Sequence, residues 1–249
     1  MNSAQFFRRT SYAENWFERV LERVWPLFCL ICNQRCDLRL LCEDCWHELP
    51  WQESACLRCG LPLGVSATEC GACLSRPPAY DATFCALRYE SQAISLIQGF
   101  KYTRSMPYGR AIDAIMHHAL TMNPLIGSQA SLLVPMPLHP VRQRERGFNQ
   151  AMEIARPIGK RFGIPVASDL CMRERMTRVQ AGLSAKERKG NMAGAFVMAR
   201  PVSADHVIII DDVITTGATV QALSSCLKAA GIRWVSVIAV PRVWTRAAG

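Results

Sequence analysis

The sequence of 249 residues lacks the features that mark membrane and secreted proteins. Its longest apolar run, from Val24 to Cys32, is much shorter than the roughly 20 residues that a transmembrane helix needs. Arg8 and Arg9 are followed by a mixed segment, not by the apolar core of a signal peptide. No Gly-Lys-Ser or Gly-Lys-Thr triplet is present, which excludes a Walker phosphate loop. We therefore expect a cytoplasmic globular protein with no membrane span.

Acidic residues are scarce relative to basic ones, 20 against 29, and the imbalance is uneven along the chain. Residues 1–80 hold 8 Lys or Arg and 9 Asp or Glu, whereas residues 81–249 hold 21 and 11. A basic excess confined to the second region suits a polyphosphate ligand, nucleic acid or both. Aromatic side chains that would stack on bases are few near the basic residues; Phe148 and Phe196 are the nearest, and both suit a core.

Cysteine is abundant, with 12 residues, and eight of these form four Cys-x-x-Cys turns. Disulfides are not favoured, because the chain shows no secretory signal. Two such turns supply the tetrahedral shell of four thiolates that Zn²⁺ accepts. We therefore predict two structural zinc ions, held by Cys29, Cys32, Cys42, Cys45, Cys56, Cys59, Cys70 and Cys73. Sequential pairing of the turns and a cross-braced exchange of the middle pairs both remain open.

The remaining cysteines do not indicate nucleophilic catalysis. Cys36 lies between the first two turns and is interpreted as a spare thiol. Cys85, Cys171 and Cys226 lie in apolar surroundings that are typical of core positions. No histidine offers an evident pairing with any of them, so a Cys-His nucleophile is not expected.

The most informative segment is 207–219, V-I-I-I-D-D-V-I-T-T-G-A-T. Its first four residues are apolar without alternation, which is typical of a parallel strand buried on both faces. Asp211 and Asp212 follow where ligands bind in open α/β sheets. A Thr/Gly loop then precedes a helix-spaced apolar pattern that ends at Gly231. Such a helix N-terminus can bind a phosphate, while the carboxylates can accept ribose hydroxyls and place Mg²⁺ through its water shell.

This segment resembles the fingerprint of the type I phosphoribosyltransferases: a hydrophobic run, two acids, a short spacer and T-[TG]-G-x-T. The resemblance implies that Asp211 and Asp212 are the catalytic acids that contact the ribose of phosphoribosyl pyrophosphate, which binds with Mg²⁺. It also implies that a loop binds the 5′-phosphate, formed by Thr215, Thr216, Gly217, Ala218 and Thr219.

A second strand, at 132–134, leads into P-M-P-L-H-P and then into three arginines and G-F-N-Q. Alternate residues of an extended segment share one side, so we expect Arg142, Arg144 and Arg146 to present a row of guanidinium groups to pyrophosphate. A solvated basic turn is the alternative. Together with F-K-Y at 100–102, this pattern is similar to the ComF/GntX-type family, phosphoribosyltransferase-like proteins linked to natural competence and to the use of external DNA.

A third stretch, 173–194, is basic and has few large apolar residues, which predicts a long loop. In the resembled fold a flexible hood over the active site occupies this place. Arg178 and Lys186 in this stretch, and Lys101 in F-K-Y, are therefore further candidates for binding pyrophosphate. A basic loop with no catalytic part is the alternative.

The expected organisation is an amphipathic helix at 1–28, a double zinc-ribbon module at 29–76 and a phosphoribosyltransferase-like domain at 80–249. The helix suits packing on the zinc module or on a partner or membrane surface. Beyond Pro77-Pro78 strands alternate with helices, which predicts an α/β fold with a mostly parallel sheet and helices on both faces. Strands are expected near 83–89, 132–134, 164–171, 195–198, 207–210 and 234–240.

Two functions from different classes agree with these observations. The first is a phosphoribosyltransferase that transfers the ribosyl group to an acceptor that the sequence does not specify. The second is a non-catalytic protein that binds single-stranded DNA or partners such as DNA-uptake or helicase-type proteins, with the site kept as a sensor or relic. The sequence does not decide whether the protein is an enzyme.

Overall fold

The structure, a computed structural model, describes residues 27–37, 39–64, 67–102, 106–121, 132–174 and 194–244. The chain divides into two compact units, Met1–Glu48 and Leu49–Gly249. The N-terminal helix expected at 1–28 lies almost wholly outside the described residues, and so does most of the expected hood. Among the described residues no helix is long and apolar enough to cross a membrane.

The first unit is small and is built around cysteine turns. Strands β1 (Leu27–Phe28) and β2 (Arg35–Cys36) pair antiparallel, and helix α1 (Glu43–His47) follows. Leu41 and Trp46 are buried, and the Arg39 guanidinium lies 5.1 Å from the centroid of the Trp46 ring. So small a core gives little stability of its own, as is usual for domains that bind structural metals.

The second unit begins with the second pair of cysteine turns and continues into an α/β sheet. Trp51 forms an antiparallel bridge with Leu87, and the Thr83 N–H donates to the Leu57 carbonyl at 2.8 Å. The cysteine-rich segment is therefore attached to the edge of the sheet. The elements of this unit are α2 (Gly71–Ser75), β3 (Ala82–Arg88), α3 (Ser91–Tyr102), α4 (Met106–Thr121), β4 (Leu132–Pro135), α5 (Pro140–Arg146), α6 (Gln150–Phe162), β5 (Cys171–Arg173), β6 (Phe196–Met198), β7 (His206–Asp211), α7 (Ala218–Ala229) and β8 (Trp234–Arg242).

The main sheet has four parallel strands in the order β3-β8-β7-β4. The central strands β7 and β8 are apolar on both faces because the sheet is covered by helices. Val207 and Ile209 share a core with the α7 residues Val220 and Leu223, while α4 and α6 contact each other and pack on β3, β4 and β7. The predicted α/β fold with a parallel sheet and a Cys-rich module is confirmed.

Two of the expected strands differ from the structure: 195–198 lies outside this sheet, and 164–171 meets it at a single bridge. In the stretch 164–171 only Val166 forms a parallel bridge, with Leu133, and the chain then turns at Ser168 and Asp169. The strand that follows, β5, pairs antiparallel with β6 in a separate two-stranded sheet. The expectation of one strand over 164–171 was wrong, because the turn interrupts the apolar run.

The expected extended row of arginines is also wrong. Residues 140–146 form helix α5, which begins with Pro140 and is capped by the Nδ1 atom of His139, an acceptor from the Val141 N–H at 3.3 Å. Gly147 ends the helix at φ +71°. Residues two apart on a helix lie on opposite sides, so Arg144 does not share a side with the arginines before and after it.

Candidate functional site

Two adjacent carboxylates lie at the carboxyl end of the central strand β7. Asp211 is the last residue of the strand, and its Oδ1 accepts from the N–H of Asp212 at 2.9 Å. Asp212 Oδ1 accepts from the N–H of Val213, also at 2.9 Å. Burial and the charge of Asp212 raise the pKa of Asp211 well above its ordinary value. A cation or hydroxyl donors placed here would relieve that repulsion.

Lys101, at the end of α3, reaches the same place from a distant part of the chain. Its Nζ lies 2.9 Å from Asp212 Oδ2, and both side chains are largely buried. The charge of Lys101 acts against the rise in the pKa of Asp211. The structure therefore brings three of the sequence-predicted site residues together: Lys101, Asp211 and Asp212.

The Thr/Gly loop connects β7 to α7 as the sequence predicts. Gly217 is the N-cap of α7, with φ +79° and ψ 0°, and as a glycine it has no side chain of its own to cap the helix. Thr216 Oγ1 accepts from the Ala218 N–H at 3.3 Å, and Thr215 and Thr216 are exposed. The first turn of a 12-residue helix thus has backbone N–H groups at a positive dipole end beside exposed hydroxyls, the arrangement that binds phosphate groups.

Two buried side chains that sequence reasoning missed support this loop. Arg242, at the end of β8, donates from Nη1 to the carbonyls of Ile214 at 3.1 Å and of Thr215. Tyr80 lies under the glycine of the loop, since a Cβ built on Gly217 would be 3.3 Å from its Oη. The signal for Arg242 in the sequence is a charged residue directly after the apolar run of the last strand.

The basic residues that the sequence suggests for binding pyrophosphate do not form one cluster among the described residues. Arg142 belongs to the electrostatic surroundings of Arg173, whose pKa is lowered by burial and by Arg142 and is raised by Asp211. Arg173 therefore lies within electrostatic range of Asp211, and Arg142 lies within electrostatic range of Arg173. Arg146 Nη1 donates to Gln150 Oε1 at 3.3 Å, and Arg144 is exposed. Arg178 and Lys186 lie outside the part of the chain that the structure describes.

The G-F-N-Q segment has a structural part. The Phe148 ring lies edge-on to Phe100, with centroids 6.0 Å apart, and so fixes the end of α3 next to Lys101. Asn149 caps α6 by accepting from the N–H groups of Ala151 and Met152, and its Nδ2 donates to the Met136 carbonyl at 3.1 Å. These contacts place α5 and α6 relative to the end of β4.

Eight cysteines form two compact clusters, which we call site 1 and site 2. Site 1 contains Cys29, Cys32, Cys42 and Cys45; site 2 contains Cys56, Cys59, Cys70 and Cys73. Within each cluster the four Sγ atoms all lie within 4.8 Å of one another. The pairing is sequential, not cross-braced. Four converging thiols without other ligand types fit a closed structural zinc site, so the two clusters agree with two structural zinc ions.

Backbone donors favour the thiolate of one cysteine in each cluster, whereas burial raises the pKa of Cys45 and Cys73. At site 1, burial raises the pKa of Cys29, but hydrogen bonds from the backbone at Cys32, Cys42 and Ile31 outweigh it and lower that pKa to about 6. At site 2 the backbone N–H of Cys70 donates to Cys56 Sγ at 3.2 Å, and the pKa of Cys56 is also lowered. Zinc ligands must be deprotonated, so these bonds suit metal binding.

Comparison with known proteins agrees with the two cysteine sites. The family model of the double zinc ribbon domain matches residues 20–86, which include all eight cysteines of the two sites. The DNA utilization protein YhgH of Escherichia coli (strain K12) is 31% identical over 216 residues, which are 85% of this chain and 95% of that protein. Competence protein F of Haemophilus influenzae is 31% identical over 210 residues, 81% of this chain and 90% of that protein.

Proposed function

The chain belongs to the ComF/GntX-type family, and we propose that it acts in the uptake or utilization of external DNA through a site that binds phosphoribosyl pyrophosphate with Mg²⁺. The biological setting is taken from relatives whose names are DNA utilization protein and competence protein F. The cysteines of sites 1 and 2 bind zinc as thiolates, which are kept reduced in the cytoplasm, and we propose that location.

The ligand is inferred from one observation, the order of groups along β7, its loop and α7. Asp211 ends the strand and Asp212 follows it, and the N-cap of α7, Gly217, comes five residues after Asp212. Two carboxylates can accept hydrogen bonds from two adjacent ribose hydroxyls. The loop N–H groups can bind the 5′-phosphate of the same sugar. A phosphorylated ribose matches this arrangement, because its two hydroxyls would meet the carboxylates and its 5′-phosphate would meet the loop.

The charge of the acid pair also supports a ligand with hydroxyl donors and a cation. Burial and the charge of Asp212 raise the pKa of Asp211, and among the described residues the ion-pair partner of Asp212 is Lys101. Carboxylates bind Mg²⁺ directly or through its water shell, and the ion would neutralise pyrophosphate oxygens. We propose that Lys101 is then released from Asp212 and contacts the phosphates.

In the enzymatic form of the proposal the bond between the ribose C1 and pyrophosphate breaks while an acceptor attacks C1. Asp211 and Asp212 stabilise the positive charge that develops on the ribose, because in this proposal the ribose hydroxyls bind to these carboxylates. We propose that Arg173 and Lys101, which both lie within electrostatic range of Asp211, supply positive charge to the leaving pyrophosphate, with Arg142 close to Arg173. Arg144, Arg146, Arg178 and Lys186 remain candidates for the same part.

A calorimetric titration tests the ligand. We expect wild-type protein to bind phosphoribosyl pyrophosphate with Mg²⁺, and Asp211→Asn combined with Asp212→Asn to weaken binding at least about tenfold, since each hydrogen bond to a charged group is worth about 1.5–3 kcal/mol. Asp169→Asn is the matched control, because Asp169 is an exposed carboxylate whose partner is Arg200. No binding by wild type, or equal loss in the control, would refute the proposal.

Release of pyrophosphate separates the enzyme from the sensor. Purified protein is mixed with phosphoribosyl pyrophosphate, Mg²⁺ and a series of nucleobases and amines, and pyrophosphate is measured. Release that depends on one acceptor and is lost in the double Asn variant supports transferase activity. Binding without release for any acceptor supports a sensor.

DNA binding is the second candidate function, and the charge of residues 81–249 favours it. This region carries 21 basic and 11 acidic residues, and α5 places exposed Arg144 among other basic side chains. A basic surface of this kind binds the phosphate backbone without reading sequence. The partners that we propose are single-stranded DNA and DNA-uptake or helicase-type proteins.

A further inference from the structure

A guanidinium group is buried between site 2 and the loop that follows β7. Arg242 is 5% exposed. Its Nε donates to the carbonyl of Cys59 at 3.1 Å, and its Nη1 donates to the carbonyls of Ile214, Thr215 and Val243. Cys59 is a member of site 2, whereas Ile214 directly precedes the loop and Thr215 is its first residue. The Arg242 side chain therefore contacts both a member of site 2 and the loop.

The hydrogen bonds of Arg242 do not balance its charge. Among the described residues they go only to carbonyl oxygens, and a buried cation is costly unless a negative charge compensates it. Zinc with four thiolates carries a net charge of −2, and Cys59 belongs to that shell. Zinc at site 2 would both order the Cys59 carbonyl and supply the counter-charge of Arg242.

A second set of contacts joins the same two places. Tyr80 belongs to one buried cluster with Cys56, Cys59 and Cys73 of site 2, and its Oη lies against Gly217 of the loop. Tyr80 is also within electrostatic range of Cys59 and Cys73, so this side chain lies close to both site 2 and the loop. Site 1 belongs to the other compact unit, Met1–Glu48, whereas site 2 and the loop both belong to Leu49–Gly249.

We propose that Arg242 is a positioning residue through which zinc at site 2 sets the conformation of the loop 215–219, so that ligand affinity depends on site 2 and not on site 1. The inference rests on the proposed function for the ligand, but the coupling itself concerns the loop backbone. It adds a regulatory part to a zinc site that would otherwise be purely structural.

Substitution of Arg242 tests the link with both zinc ions present. Arg242→Met keeps much of the side-chain volume and removes the donors, and Arg242→Lys restores the charge. Arg233→Met is the control, because Arg233 is exposed and lies just before β8. We measure zinc by elemental analysis, affinity for phosphoribosyl pyrophosphate with Mg²⁺ by calorimetry, and amide hydrogen exchange by mass spectrometry.

The exchange of two amides in the backbone contacts of Ile214, the residue directly before the loop, can be measured without any ligand. The Ile214 N–H donates to Pro241 O at 3.1 Å, and the Val243 N–H donates to Ile214 O at 2.8 Å. We expect Arg242→Met to keep its zinc, to exchange at these amides at least about tenfold faster, and to bind ligand about tenfold more weakly, with partial rescue by lysine. Zinc retention with unchanged exchange would overturn the proposal.

Removal of one ligand from each zinc site tests the dependence on site 2. Cys29→Ser and Cys73→Ser should each lower the zinc content by about one ion, because each destroys one closed shell. Only Cys73→Ser should speed exchange at Ile214 and weaken ligand binding. Equal effects of the two variants would overturn the proposal. If wild type binds no ligand, the proposed function fails, while the exchange measurements still decide the coupling.

Discussion

Replacement of Gly217 by alanine tests the geometry of the loop most directly. Gly217 has φ +79°, and a left-handed conformation costs an L-residue about 1–2 kcal/mol. The new Cβ would lie 3.3 Å from Tyr80 Oη, so the tyrosine has to move by a few tenths of an ångström, at a cost below about 1 kcal/mol. We therefore expect Gly217→Ala to destabilise the protein by about 1–3 kcal/mol.

Gly231→Ala separates the two contributions. Gly231 also has a positive φ, +93°, but its Cβ would meet nothing within 4 Å. This variant should therefore show the conformational cost alone. Since 1 kcal/mol lowers the Tm by about 2–4 °C in a domain of this size, thermal unfolding can resolve both losses. Tyr80→Phe removes Oη and should recover the extra loss in the Gly217→Ala background but not in the Gly231→Ala background.

Ligand affinity gives the functional half of this prediction. The methyl group that Gly217→Ala adds would displace the loop backbone whose N–H groups are proposed to bind the 5′-phosphate. Loss of one such bond should weaken binding of phosphoribosyl pyrophosphate by about tenfold or more in calorimetry. Gly231→Ala should bind as wild type does. A Gly217→Ala protein with unchanged Tm, or with a lower Tm and full affinity, would refute the reasoning.

Three further predictions concern metal, pH and DNA. The purified protein should contain close to two zinc ions per chain. Strong chelators should unfold residues 29–76, because small Cys-rich modules obtain much of their folding free energy from metal binding. Mass spectrometry that finds the eight cysteines as disulfides would contradict this. Because the pKa of Asp211 is raised in the folded protein, the folded state holds a proton on this carboxyl group at pH values where the unfolded state has lost it. The free energy of unfolding therefore falls as the pH rises from the ordinary Asp range through the raised pKa. Asp211→Asn should therefore raise the Tm relative to wild type at neutral pH and not below pH about 4, where both states are protonated; a gain of the same size at both pH values would contradict it. Single-stranded DNA affinity should fall steeply with salt, and Arg144→Glu should reduce it, whereas affinity that is insensitive to ionic strength would refute backbone binding.

Local patterns in the sequence were sufficient for the elements that carry the site. The apolar run, two acids, Thr/Gly loop and helix at 207–219 are contiguous, so their order alone predicted β7, its loop and α7. The cysteine turns were equally local, and their short spacing predicted converging thiols. Their sequential pairing was open in the sequence and was decided by the fold.

Helix α5 shows a signal that was present but interpreted wrongly. His139 is the N-cap of this helix, Pro140 lies in its first turn, and Gly147 is its left-handed C-cap. The alternating arginines suggested an extended segment instead. Periodicity of polar residues alone does not distinguish the two, because a short exposed helix has no apolar stripe to reveal it.

An α/β domain with two acids before a Thr/Gly loop, and two groups of cysteine turns, could be predicted from sequence, since each depends on neighbours within about one strand, turn or helix. Only the tertiary structure decided that Lys101 contacts Asp212, that Arg242 joins Cys59 to Ile214, and that β5 and β6 leave the main sheet. These contacts join residues far apart in the chain. Nothing in local spacing specifies them, because they form only when the packed sheet brings its strand ends together.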